Sequence, residues 1–324
     1  MDKLVFIGTS NGLVTCESRG EGWHVVRSAL QGHYITSVAV DDGVVMAGTQ
    51  DGIYRSDDMG LIWLEADTGL TIRHVRWLVL HPNNQQRAFG GSEPAGIFVS
   101  QDGGRSWRLC PEVEQLRKKH GWSLPYSPQA GCVRGFAFLG TRGYAAVEDG
   151  CVLVSEDAGE TWHLPTGSRG DPDHMPRPGF VHSDVHSIEV HPVSPDLVAA
   201  PTGGGFFLSS NGGSTWENLY RNCYCRATWL DPADPDHMIL GPADFDDRNG
   251  RIEQTRDGGR TWQLASVGLD VPWRHHMVER FTQAGDGLLA ILSNGDLLSA
   301  NSSDLNWQQI LPEVKDVNAI AIMK

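Results

Sequence analysis

Long apolar runs are missing from this chain. The longest, such as WLVL at 77–80, are far too short to span a bilayer. No sustained helical period is present, and PEVEQLRKK at 111–119 reads as one or two helical turns inside an insertion. The start, MDKLVFIGTSNGL, shows no charged n-region, no long apolar segment and no cleavage site. Six cysteines are scattered without a framework. Only Cys223 and Cys225 lie close together, at a spacing too short for the usual redox or zinc motifs, so both read as small core residues. Reduced thiols and no visible secretory signal together lead us to expect a cytoplasmic protein. Positive charge is also short: 26 Lys and Arg stand against 40 Asp and Glu, a net charge of −14. That balance disfavours nucleic acid and anionic membranes as partners.

What the chain has in excess is glycine and tryptophan, 38 and 11 residues. Both gather in one octapeptide: SQDGGRSW at 100, SEDAGETW at 155, SSNGGSTW at 209 and TRDGGRTW at 255, with a further copy ending at Trp63. Degenerate copies end at Trp23 and Trp307, and successive tryptophans are 40 to 55 residues apart. Each copy follows three short apolar runs separated by turn residues, as in VHSIEVHP, LVAAPTGG and GFFLSS. Four strands per unit at this period predict an all-β propeller. Asp or Asn in the octapeptide can accept backbone amides of a hairpin turn, Gly supplies positive φ, and Trp plugs the seam to the neighbouring unit. Innermost strands are predicted near 35–40, 75–80, 133–138, 185–190, 226–230, 278–283 and 317–322, hence seven blades in one domain over 1–324. The chain begins on a second-strand pattern and ends on an innermost-strand pattern. The last strand is therefore expected to complete the N-terminal blade and close the ring.

The octapeptide resembles the Asp-box, or BNR, repeat, Ser-x-Asp-x-Gly-x-Thr-Trp, and the resemblance extends over nearly the whole chain. It implies that Asp102, Asp157, Asn211 and Asp257 are structural and lie away from any active site. Sialidases share the repeat but are six-bladed and open with an Arg-Ile-Pro motif that this chain lacks, so sialidase activity is not carried over. A photosystem II assembly factor of the same superfamily is seven-bladed and binds protein partners. Sortilin-type receptors and xyloglucanases use larger propellers.

Stacking the innermost strands in register brings Thr36, Arg76, Arg134, His186, Arg226, Glu279 and Asn318 to one level of the axial channel. Tyr34, His74, Cys132, Asp184, Tyr224, Met277 and Asp316 come to the next. Guanidinium forks grip anions bidentately, so Arg76, Arg134 and Arg226, with His74, Tyr34 and Tyr224, are candidate binders of a small anionic ligand. Glu279 and His186 are candidate general acid or base, with Asp184 orienting His186. The plainer alternative is a wet channel whose charges pair with one another, Arg226 with Glu279 for instance. His182, His186, His275 and His276 form a candidate divalent-metal set, although no cofactor is required. The acidic stretch Asp244, Asp246, Asp247 reads as a solvated loop rather than a calcium site. His81 and His191 read as turn-stabilising.

Insertions at 108–132, 163–184 and 242–251 crowd one face. Long loops on a rigid scaffold carry recognition, and Trp122 and Tyr126 within them, with Trp273 in another loop, suit a protein partner. The leading expectation is an enzyme, a hydrolase or lyase acting on a small anion held in the channel. The alternative is a non-catalytic platform that docks a protein on loops 108–132 and 163–184.

Overall fold

Short alternations of Val, Ile, Leu and Phe bounded by Gly, Asp and Asn can bury one face only by stacking sheet on sheet. The computed structural model describes residues 4–19, 22–124, 131–172, 175 and 177–323. Seven antiparallel sheets follow one another round a central channel. The innermost strands of blades 2 to 7 are Ile35–Asp41, Val75–His81, Cys132–Leu139, Glu189–His191, Tyr224–Leu230 and Val278–Ala284. Blade 1 is completed by the last strand, Val317–Ile322, which pairs antiparallel with Leu4–Thr9 and sets Ile320 opposite Ile7. The ring is thus closed as expected, and Leu4–Thr9 is paired on both sides. Six sheets have four strands. Blade 4 has three, and a lone bridge between Val154 and His163 marks the place of its fourth.

The octapeptides fold into one repeated hydrogen-bonded turn. At residues 100–107, Asp102 Oδ1 accepts the amides of Arg105 and Ser106, each at 2.9 Å, and Oδ2 accepts the Ser106 hydroxyl at 2.6 Å. Ser100 Oγ accepts the Gly104 amide at 2.7 Å. The turns at Asp157 and Asp257 repeat this pattern, and at Asn211 the backbone bonds recur while its side-chain amide donates to the Thr215 hydroxyl. Gly104 leaves no room for a side chain: a Cβ there would stand 2.3 Å from Met46 Sδ of the preceding blade. The tryptophans lock blade to blade. Trp107 and Trp307 are buried, and their indole N–H groups donate to Ala66 O and Ala265 O at 2.8 and 2.9 Å. Burying one such ring stabilises the seam by about 3 kcal/mol. His81 and His191 accept the amides two residues on, as turn residues do, and the six cysteines are free and buried.

A second repeated device lies at the hub. Each innermost strand carries one residue more than the strand it faces. The ladder skips Thr36 between Ile35 and Ser37, Arg76 between Val75 and Trp77, Arg134 between Val133 and Gly135, and Glu279 between Val278 and Arg280. Asn318 is skipped opposite Gly8 and Thr9. In blade 6 the irregularity spans Arg226 and Ala227. In blade 5 it lies between Val185, bridged to Thr202, and Glu189, paired with Ala199. These β-bulges, one per blade, turn the extra side chain out of the ladder and towards the axis.

Candidate functional site

The bulges assemble a cavity of about 600 Å³ at the loop-bearing end of the channel. Three bulge residues tie neighbouring blades together. Thr36 donates to Val75 O, His186 Nδ1 bonds Cys225 O at 3.0 Å, and Asn318 donates to Ile35 O at 3.3 Å. Each reaches the carbonyl just before the next blade's bulge, a group the bulge would otherwise leave without a partner. The other four, Arg76, Arg134, Arg226 and Glu279, carry the charge.

That charge is largely matched within the protein. Arg226 binds Glu279 and Asp246, and lies 3.2 Å from Asp247. The acidic loop is therefore a counter-ion for Arg226. Arg134 is 3.0 Å from Glu148 and 3.6 Å from Glu279, the latter contact crossing the channel from blade 4 to blade 7. Arg76 and His74 face Glu93 at 3.6 and 3.9 Å, and burial lowers the pKa of His74 despite that carboxylate. Neither Glu93 nor Glu148 was among the residues singled out in the sequence, because both come from second strands. Their only sequence mark is a carboxylate ending an apolar run, FGGSE and YAAVE.

One cation at the hub lacks an acidic partner. Arg280, directly after the bulge, reaches across the channel from blade 7, and its guanidinium carbon lies 4.0 Å from the Trp77 ring centre on blade 3. Among the described residues it makes no hydrogen bond or ion pair, and burial pushes its pKa down to about 10 despite Glu279 beside it. Deeper in the same cavity, burial pushes the Glu189 carboxyl up to about 8, with the Leu230 amide at 3.2 Å opposing the shift.

The histidines divide. His186 is fully buried, with Nε2 2.8 Å from Asp184 Oδ1 and 3.2 Å from the Tyr224 hydroxyl. Burial works against the charge on Asp184, yet the adjacent His186 and His182 hold it down to about 2. Burial likewise opposes ionisation of Glu148, but Arg134 and His186 lower its pKa overall. Burial raises the pKa of the Tyr224 hydroxyl, and Asp184 adds to the effect. Glu148, Asp184 and His186 place ligand atoms within 4.8 Å of one another, a group able in principle to hold a divalent cation. The metal set read from the sequence is corrected in its membership: His182 accepts the Asp184 amide, and His276 stacks on Trp273 at 5.1 Å. Neither these two nor His275 joins the convergent group. The Arg134 guanidinium, already on Glu148, would compete with any cation there.

At the rim, Tyr34 is 40% exposed and bonds Asn318 at 3.3 Å, while Phe245 is 64% exposed and 6.3 Å from the Tyr224 ring. The insertion at 108–132 forms a full helix, Pro111–His120, longer than the turn or two expected. Trp122 is buried, and its indole donates to Gly170 O at 2.6 Å; His120 bonds Asp171 at 2.9 Å. The two long loops thus brace each other, and Trp122 is a strut rather than a docking residue. Tyr126 lies outside the described residues.

No protein-family model matches this chain, and no curated protein matches it. Solved structures do, at the level of fold. The YCF48 protein of Cyanidioschyzon merolae aligns over 94% of this chain and 96% of its own, at 14% identity and TM-score 0.61. A YCF48 structure with a bound D1 peptide covers 91% and 88%, at 14% identity and TM-score 0.62. The GH74 enzyme of Niastella koreensis covers 99% of this chain at 14% identity and TM-score 0.66, but only 52% of its own length is matched; for an ancestral GH74 enzyme that share is 40%. This chain therefore spans about half, or less, of those enzymes. The expectation of a hydrolase or lyase is overturned: the YCF48 proteins match nearly end to end, whereas the GH74 enzymes match over only part of their own length. The chemistry of the hub agrees. Glu279 is held by two arginines, and His186 is buried with both ring nitrogens engaged.

Proposed function

We propose that this chain is a non-catalytic docking platform that takes an extended segment of a protein partner across its loop-bearing face, over the channel mouth. The observation that carries the reading is the internal pairing of the mouth's charges, which leaves a fixed, patterned surface instead of a poised acid and base. Six carboxylates (Glu93, Glu148, Asp184, Asp246, Asp247, Glu279) stand against four arginines (76, 134, 226, 280), an imbalance that weighs against a free small anion. It favours a segment bearing lysine or arginine beside an aromatic or aliphatic anchor for Tyr34 and Phe245. End-to-end likeness to a propeller that holds a peptide supports the same reading.

The test is a library of unstructured twelve-residue peptides screened against the labelled protein, with affinities measured by fluorescence anisotropy. Basic, apolar peptides should bind saturably, and Phe245→Ala or Tyr34→Ala should weaken them at least fivefold. Absence of saturable binding, or binding indifferent to both substitutions, would sink the proposal.

A further inference from the structure

The five close copies of the octapeptide are not equal. In four, the fourth, sixth and seventh places hold polar or small residues: Gly103, Arg105 and Ser106; Ala158, Glu160 and Thr161; Gly212, Ser214 and Thr215; Gly258, Arg260 and Thr261. In the copy at 56–63 the same three places hold Met59, Leu61 and Ile62, which are 46%, 60% and 65% exposed. Leu64, just beyond, is 69% exposed. Apolar side chains here do nothing for the turn and cost it twice. Ile62 has no hydroxyl to give Asp58 the bond that Ser106, Thr161 and Thr261 give their aspartates, although the backbone part of the pattern survives, with Asp58 Oδ1 accepting the Leu61 and Ile62 amides. Met59 sits at φ 57°, a left-handed conformation that three sister turns fill with glycine.

The apolar surface continues onto blade 1. Arg27 donates to Met59 O at 2.9 Å, and on the same outer strand, Gly22–Ala29, Val25 and Val26 are 43% and 41% exposed. That strand has eight residues and is the outer edge of its sheet, whereas the outer strands of blades 2, 3 and 6 have two each. This long edge carries a bulge at Val26, which the ladder skips between Val25 and Arg27, and the unbulged stretches on either side offer backbone groups for another strand to pair.

The rim of the patch is acidic. Asp41 and Asp42 lie in the turn whose Gly43 carbonyl accepts the Met59 amide at 2.9 Å, and Asp57, Asp58 and Glu65 flank the apolar residues. The nearby cations are engaged: Arg55 is buried on Gly103 O and Asp57, Arg105 reaches Asp57 at 3.2 Å, and Arg27 holds Met59 O. Asp41, Asp42 and Glu65 have no ion-pair partner among the described residues. A second copy of a chain with net charge −14 would bring the same carboxylates to this rim.

We infer that the outer edge of blades 1 and 2 is a second docking surface, for an extended apolar segment of another protein carrying lysine or arginine at alternate positions. Val25, Val26, Met59, Leu61, Ile62 and Leu64 are the anchors, and the carboxylates of Asp41, Asp42 and Glu65 select the basic side chains. This surface is distinct from the channel mouth, so either can fail without the other.

A labelled peptide of alternating leucine and lysine is the probe, read by fluorescence anisotropy together with the protein's thermal midpoint. The combined variant Leu61→Ser, Ile62→Thr, Leu64→Ser should bind at least tenfold more weakly than the unaltered protein. Leu264→Ser, an exposed leucine on blade 6, should leave binding unchanged, and the tenfold loss should persist when both proteins also carry Phe245→Ala and Tyr34→Ala, which removes the channel mouth as a second site for the probe. Ile62→Thr alone should weaken the peptide while leaving the thermal midpoint equal or higher, because it restores the hydroxyl bond to Asp58. Equal affinity for the combined variant would overturn the inference. So would a lowered midpoint for Ile62→Thr, which would make Ile62 structural. Sedimentation showing a dimer that the combined variant dissociates would assign the surface to a second copy and overturn the proposed occupant.

Discussion

The channel mouth and the octapeptide turns both hold carboxylates below their ordinary pKa, yet they are built in opposite ways. In a turn, the aspartate and most of its donors fall within eight residues, so one copy contains its own explanation. At the mouth, Glu279 answers to Arg226 of blade 6 and Arg134 of blade 4, and Arg226 answers in turn to a loop twenty residues on. The turn is a local device repeated; the mouth is a network that exists only once the ring has closed. The difference teaches where substitutions will be contained and where they will spread.

The sharpest way to break the comparison is Arg226→Leu. It leaves Glu279, Asp246 and Asp247 facing one another without their shared cation. We expect a loss of about 2 kcal/mol by chemical denaturation, less than for a wholly buried pair because Asp246 and Asp247 are 47% and 43% exposed. Adding Asp246→Asn and Glu279→Gln should recover most of it. If each substitution simply adds to the loss, the mouth is no network. Asp102→Ala should cost about 1.5 kcal/mol and stay local. A double variant with Asp257→Ala should therefore show additive losses.

Acid provides the smallest contrast. Hydrogen bonds from Ser106 and Thr161 hold Asp102 and Asp157 at about 2 against the opposing pull of burial, and Asp184 at the mouth is held there too. A carboxylate whose folded pKa lies below its unfolded value stabilises the fold fully above the unfolded pKa, and the contribution fades as pH falls towards the folded one. Stability should thus hold down to about pH 4 and decline between there and pH 2. In Asp102→Ala the decline should be shallower, and a slope unchanged from the unaltered protein would contradict the assignment.

Legibility followed the same division. Seven innermost strands and the closing strand were readable because β-alternation and the tryptophan spacing repeat. The ring of Thr36, Arg76, Arg134, His186, Arg226, Glu279 and Asn318 was also readable, as a shared register. That each member is a bulge was not, because a bulge leaves no composition mark. The omission matters at Arg280: strict alternation turns it away from the axis, whereas the bulge at Glu279 lets both line the cavity. Glu93 and Glu148 escaped because second strands were not stacked as the first were. Their pairing with Arg76 and Arg134 turns three candidate anion-binding arginines into a largely neutralised set.

The strand that seals blade 1 is synthesised after the six other sheets, while its three companions are synthesised before them. Until Val317–Ile322 arrives, Leu4–Thr9 must wait with one side bare through the synthesis of six further sheets. The nascent wheel is therefore exposed to mispairing throughout that interval. A chaperone that shields the Leu4–Thr9 edge would act on assembly yield without altering the stability of the finished protein.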